Sequence, residues 1–193
     1  MNAVSTIDDH PDLIAALREV THDTRGTVGT IRLAMTTLLE ADIDAATRVE
    51  LLQAADREAV RLVAELAALP SLVRALVNDS ARQPVELGAA LRKLSRNNSV
   101  HGVTVKVAAR APLVVLGRSE DLDVVLEALV RLGVACGAHT ISARRDNAEV
   151  ELRFDGATAR GPLIRHLAAA LNGVLVEAPA RDGFSVVFAQ VLS

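Results

Sequence analysis

His22 is the side chain whose type and setting could do chemistry. A neutral imidazole is a nucleophile and a proton acceptor near pH 7, provided that a reactant can reach it. Around it, Leu17, Val20, Thr24, Val28, Ile31, Met35 and Leu38 recur at spacings of 3, 4, 4, 3, 4 and 3, which predicts an amphipathic helix with one polar member in its stripe. At about 100° per residue, His22 projects roughly 160° from the centre of that stripe, so it is expected to face water. Asp23 and Arg25 flank it as charged neighbours, a type of residue also ordinary on any helix surface. Gly26, Gly29 and Leu33 follow at i+4, i+7 and i+11, in a row running down the helix from the histidine. Glycine inside a helix costs about 1 kcal/mol relative to alanine. Either the two glycines are tolerated defects on a solvated face, or they clear the way for a second macromolecule, with Leu33 as an apolar contact beyond them.

Other chemistries find less support. His10, His101, His139 and His166 show no metal-ligand spacing to one another or to Cys136. No Gly-x-Ser-x-Gly elbow occurs; Ser95 and Ser99 fall in a polar turn and Ser185 inside a predicted strand. Cys136 is the only cysteine and has apolar neighbours, which suggests a buried structural thiol. With 193 residues, 50% of them hydrophobic, and a net charge of -3, the chain is globular. The acidic excess and the lack of Trp and Tyr argue against nucleic acid. No run approaches the roughly 18 apolar residues needed to cross a bilayer, and MNAVSTIDDHP has no signal-peptide core. A cytoplasmic protein with no membrane partner is expected.

The elements that must hold His22 follow from the rest of the pattern. Asp8, Asp9 and Pro11 supply a cap and a first-turn proline, so the first helix is predicted from about residue 10 to Glu40. Asp42 or Asp44 caps a second amphipathic helix with the stripe Leu52, Ala55, Ala59, Leu62, Leu66 and Leu69, which Pro70 is expected to stop. Two helices of roughly 27 residues joined by a tight loop pack as an antiparallel hairpin about 40 Å long. One hairpin cannot bury both stripes, so residues 1–75 are expected to form a homodimeric four-helix bundle. After the polar run NDSARQP, residues 84–193 alternate short helices and strands. Strands are predicted at Val103–Val107, Pro112–Leu116, Thr140–Arg144, Glu149–Phe154, Val174–Glu177 and Phe184–Val191, with helices at Glu86–Leu94, Ser119–Gly137 and Pro162–Leu171. That order describes an α/β sandwich with helices on one face of a mostly antiparallel sheet, and an α+β class for the whole chain.

His22-Asp23-Thr24-Arg25 on the first helix of a long hairpin, followed by a proline-linked α/β domain, resembles bacterial sensor histidine kinases, with their dimerisation and phosphoacceptor domain and ATPase domain. The family's H, then D or E, any residue, then R or K is met by His22, Asp23 and Arg25; its following proline is Thr27 here. Pro84–Leu94 and Leu116–Gly137 resemble the linker and long helix of the ATPase domain. Where that helix carries two asparagines for magnesium and nucleotide, this chain has Ala128 and Leu132, which cannot ligate a cation. The first glycine box is reduced to Asp155 with Ala157 and Ala159, and only five residues separate Gly156 from the helix at Pro162, so the lid and second glycine box are missing. Holding ATP for γ-phosphoryl transfer needs a cation, freed backbone amides and a lid. A histidine hairpin beside a degenerate kinase domain is similar to the histidine phosphotransferases of phosphorelays, notably the ChpT family and the sporulation phosphotransferases.

That resemblance implies a protein that shuttles a phosphoryl group between receiver-domain aspartates through Nε2 of His22, without ATP or autokinase activity. Asp23 would orient the imidazole or accept its proton, and Arg25 would offset phosphoryl charge. Gly26, Gly29 and Leu33 would be the docking row. The partners implied are a second copy, response-regulator receivers and a hybrid histidine kinase. The chain itself would bind no cofactor, with Mg2+ arriving on the receiver. Two other readings stay open: a dimeric pseudokinase scaffold that binds a response regulator or kinase with His22 incidental, and a divergent ATP-dependent kinase working around Asp155. A phosphatase is less favoured, because the residue four after the histidine, usually a water-positioning Asn or Thr, is Gly26.

Overall fold

The computed structural model describes residues 10–40, 42–96, 102–108, 112–146, 148–177 and 182–191. Two long helices, α1 (Pro11–Leu38) and α2 (Ala45–Val77), form the hairpin. Arg48 reaches the Leu38 carbonyl and Arg61 reaches Thr27, so numbering rises along one helix as it falls along the other. Asp44 caps α2, accepting from the hydroxyl and the amide of Thr47 at 2.6 and 2.9 Å. Those bonds hold its carboxyl below the usual carboxylate value.

The hairpin departs from the predicted pattern in two ways. First, α2 continues through Pro70 to Val77. A mid-helix proline costs about 3 kcal/mol, but Ala68, Leu72 and Ala75 carry one buried face across it, and full burial of a leucine alone recovers about 1.5–3 kcal/mol. Second, the faces buried within the chain are rotated from the predicted stripes. On α1 the buried residues are Leu13, Ala16, Val20, Thr27 and Ala34, and on α2 they are Ala55, Arg61, Glu65, Ala68, Leu72 and Ala75. Small residues let the backbones approach, which leaves the large apolar side chains beside the contact. Val28 and Met35 on α1 and Leu39 just past its end are 48%, 50% and 87% exposed, and Val49, Leu52, Val63 and Leu66 on α2 are 50–67% exposed. Among the described residues, no helix is long and apolar enough to cross a membrane.

Beyond the hairpin come β1 (Gln83–Glu86), α3 (Leu87–Arg96), β2 (Thr104–Val107), β3 (Val114–Gly117), α4 (Ser119–Ala135), β4 (Thr140–Asp146), β5 (Glu149–Asp155), α5 (Pro162–Ala170), β6 (Gly173–Glu177) and β7 (Gly183–Ala189). The main sheet has the order β2-β4-β5-β7-β6, parallel only at β2-β4, and β1 pairs with β3 in a separate antiparallel ribbon. Strand residues alternate with period 2. Ile141, Val150, Leu152, Phe154, Phe184, Val186 and Phe188 are buried, while the opposite face carries the Arg144–Glu151 pair and Ser185, which donates to Glu151 at 2.6 Å. Ser185 thus fills a pleat position, as expected. Ser99 and His101 lie outside the described residues.

One apolar core joins both halves: Ala16, Val20, Ala68, Leu72 and Ala75 of the hairpin cluster with the α4, α5 and sheet residues. The polar run after α2 is anchored too. Arg74 and Asn78 bond Asp121 at 3.2 and 2.6 Å, and Arg118 donates to the carbonyls of Ala75 and Ser80 at 2.7 and 3.0 Å.

Gly133 shows how tightly α4 sits on the sheet: a Cβ there would stand 2.4 Å from the Phe154 ring, itself stacked on Phe184 with centroids 4.6 Å apart. Alanine is the better helix former by about 1 kcal/mol, yet Gly133→Ala is expected to destabilise the fold by about 1–3 kcal/mol through overpacking. Urea denaturation at equilibrium measures it.

Candidate functional site

His22 is exposed on α1 and lines an open groove of about 550 Å3 where α1 meets the start of α5 and the edge strand β6. Arg18, Glu19, Asp23, Gly161, Arg165 and Leu175 share that groove. Arg165 and His166 of α5 both reach Glu19, at 2.8 and 3.1 Å, and the His166 bond leads the interactions that hold the Glu19 carboxyl below its usual value. Two guanidinium groups therefore stand in the histidine's groove, one of them already committed to a carboxylate. Sequence reasoning missed Arg165, because only the packing of α5 on α1 brings it to the site, and it passed over Arg18, which helical period already sets one turn before His22.

The predicted site residues separate into two sets. Gly26 and Gly29 open onto solvent, with no heavy atom within 4 Å of where a Cβ would sit, and Leu33 is 68% exposed. Arg25 is exposed as well. Asp23 is half-buried and turned toward the second domain: a Cβ on Gly161 would stand 2.4 Å from its Oδ2. Gly161 has φ +79 and precedes the first residue of α5, where a helix favours negative charge. His22 thus faces solvent, whereas the Asp23 carboxylate lies against the turn that opens α5.

Beneath His22 lies a polar network inside the hairpin. Arg61, 9% exposed, donates to the Thr27 hydroxyl, which in turn donates to the Asp23 carbonyl at 3.3 Å. Thr27 stands where the resembled kinases carry proline, and a hydroxyl is what lets that position meet the arginine. Arg61 also pairs with Glu58 at 3.1 Å and Glu65 at 3.6 Å. Glu65 is 2% exposed with Oε2 unpartnered, and burial pushes its carboxyl up, Arg61 only partly offsetting this. Arg61 and Glu65 were not predicted to be buried; two charged residues at i, i+4 read as a solvated helix face.

Leu132 is fully buried in the core and Ala128 is 6% exposed, lining a cleft against α2. Asp155 is paired with Arg153 on its own strand. The loop 156–161 is tied to the hairpin rather than standing free, through Gly161 at Asp23 and through Arg160, which reaches Glu58 at 3.3 Å. Cys136 is half-buried beside this loop, and burial pushes its thiol up to about 11. Among the described residues, no three His, Cys, Asp or Glu come together as a metal site.

No protein-family model and no curated protein matches the sequence. Among solved structures, the chain is similar to the ATP-binding domain of PrrB from Mycobacterium tuberculosis, with 17% identity over 59% of this chain and 100% of that one and a TM-score of 0.42. It is similar to the histidine kinase AdeS of Acinetobacter baumannii, with 12% identity over 89% and 98% of the two chains and a TM-score of 0.42. A structure described as a bacterial phosphotransferase matches at 12% identity over 96% and 98%, with a TM-score of 0.34. The functional reading therefore rests on the residues themselves.

The raised carboxyl of Glu65 has a pH signature. A carboxyl that is harder to ionise in the folded state costs stability as pH rises from its ordinary value of 4.5 through its raised one. Glu65→Gln removes that cost, so the Tm difference between Glu65→Gln and wild type is expected to become more positive as pH rises through this range. Thermal unfolding followed by circular dichroism at several pH values measures it.

Proposed function

We propose that this protein is a histidine phosphotransferase that passes a phosphoryl group between receiver-domain aspartates through His22, without using ATP. The observation that carries the reading is the setting of His22: exposed at an open groove and followed down its helix by the bare Gly26, Gly29 and Leu33 row. A convex helix face bare of side chains at Gly26 and Gly29 suits the close approach of a folded domain better than enclosure of a small substrate. The state of the nucleotide face supports the same reading. Ala128 and Leu132 offer no cation ligand, and the short loop at 156–161 is fastened to the hairpin where a kinase needs a free lid.

In this reading the lone pair on Nε2 of neutral His22 attacks the phosphorus of an aspartyl phosphate. The N–P bond forms as the P–O bond to the aspartate breaks, and the carboxylate leaves. A second receiver aspartate then reverses the step. Asp23 orients the imidazole or takes its proton, Arg25 offsets phosphoryl charge at the docking face, and Arg18 and Arg165 add positive charge around the groove. Magnesium arrives on the receiver. The exposed apolar residues Val28, Met35, Leu39, Val49, Leu52 and Leu66 are covered by the hairpin of a second copy, completing a four-helix bundle.

Incubation with a phosphorylated receiver is expected to place acid-labile, base-stable label on the wild type and only background label on His22→Ala, with no label from ATP alone. Label from ATP alone would restore the kinase, and label from neither source would leave the scaffold. Light scattering at micromolar concentration is expected to return the mass of two chains, and Leu52→Glu is expected to shift it toward one while keeping the helical circular dichroism. A monomer mass for the wild type would overturn the bundle.

A further inference from the structure

Between α2 and α4 lies a partly open cleft of about 820 Å3, a size that encloses a small molecule. Its walls are apolar, with Val60, Val63 and Ala64 from α2 facing Val124, Ala128 and Val134 from α4. Four arginines, Arg57, Arg61, Arg131 and Arg160, stand around these walls against two glutamates, Glu58 and Glu127. Glu127 is taken by Arg131 at 2.6 Å, and Glu58 is shared by Arg61 and Arg160 at 3.1 and 3.3 Å. Arg57 is left with no ion pair among the described residues, and the buried Nε of Arg61 has no hydrogen bond, its nearest opposite charge being Glu65 at 3.6 Å, outside the cleft lining.

A surplus of guanidinium groups over apolar walls complements an apolar body with an anionic head. A metal-bound nucleotide fits poorly, because the α4 wall presents Ala128 where a cation ligand would be required. We propose that this cleft binds a small amphipathic anion, of which a medium-chain aliphatic carboxylate is the simplest form. Its occupancy bears on the phosphoacceptor helix through Arg61, which lines the cleft and donates to Thr27, whose hydroxyl donates to the carbonyl of Asp23 beside His22. This coupling rests on the phosphotransfer reading; the binding does not.

Cys136 lines the same cleft and is the only cysteine, so the native protein carries its own reporter. Its reaction with neutral dithiodipyridine at alkaline pH is followed by absorbance, with decanoate added below its micelle-forming concentration. Protection is expected to saturate and to reach about tenfold at about ten times the dissociation constant. Arg57→Glu combined with Arg131→Glu is expected to raise the half-protecting concentration by about tenfold or more. Ala67→Trp, which fills the cleft from an exposed lining position, is expected to abolish protection by decanoate. Equal protection by decanol, stronger protection by ATP or inorganic phosphate, indifference to the charge reversal, or no protection at all would each overturn the site. Absent binding with intact transfer through His22 overturns this proposal alone, and saturable binding without transfer overturns the phosphotransfer reading alone.

Discussion

The hairpin depends on finding partners for one buried guanidinium. Arg61 sits inside α2 where the two helices and the second domain converge, and a charge so placed is tolerated only if its donors are occupied. Glu58 and Glu65 supply the opposite charge from the same helix, and Thr27 supplies an acceptor from the other. The match is incomplete, with Arg61 Nε and Glu65 Oε2 lacking hydrogen bonds and the Arg61–Glu65 pair held only at 3.6 Å. Such a network adds little net stability over well-packed apolar residues, but removing one member leaves a buried charge uncompensated, at about 3–5 kcal/mol. Its effect is on register: Thr27 faces Arg61 only when α1 and α2 are aligned as they are, which also settles where His22 emerges.

Packing of the second domain then decides which side of α1 stays open. Ala16 and Val20 enter the common core and Asp23 abuts Gly161, so the side of α1 bearing these residues is occupied. His22, Gly26, Gly29 and Leu33 are left on the free side. The loop 156–161 and the first turn of α5 brace the hairpin, through Arg160 to Glu58 of α2 and Arg165 to Glu19 of α1.

Much of this was legible in the residues because the relevant signals are local. The alternation Val103, Val105, Val107, the Pro162 start of α5, and the Asp44 cap each follow from dihedral preference or period, and the elements form within a few residues of the predicted places. Pro70 misled for the same reason. Its cost is local and plain in sequence, whereas the offsetting burial of Leu72 and Ala75 comes from α4 and the sheet. The stripes of α1 and α2 misled more subtly. Hydrophobicity ranks leucine and methionine above alanine, but close helix contact selects alanine and threonine, so the larger residues were displaced to the flank.

By itself, the sequence determined that a helix presents His22 opposite an apolar stripe, that two glycines and a leucine follow it in a row, and that Ala128 and Leu132 of α4 cannot ligate a cation. Those properties depend only on helical period and side-chain chemistry. The tertiary structure alone decided that Asp23 faces α5 rather than solvent, that Arg165 of α5 enters the groove of His22, and that Arg61 and Glu65 are buried. Each of these joins residues far apart in the chain, and their meeting depends on how closely small side chains let the hairpin and the second domain approach.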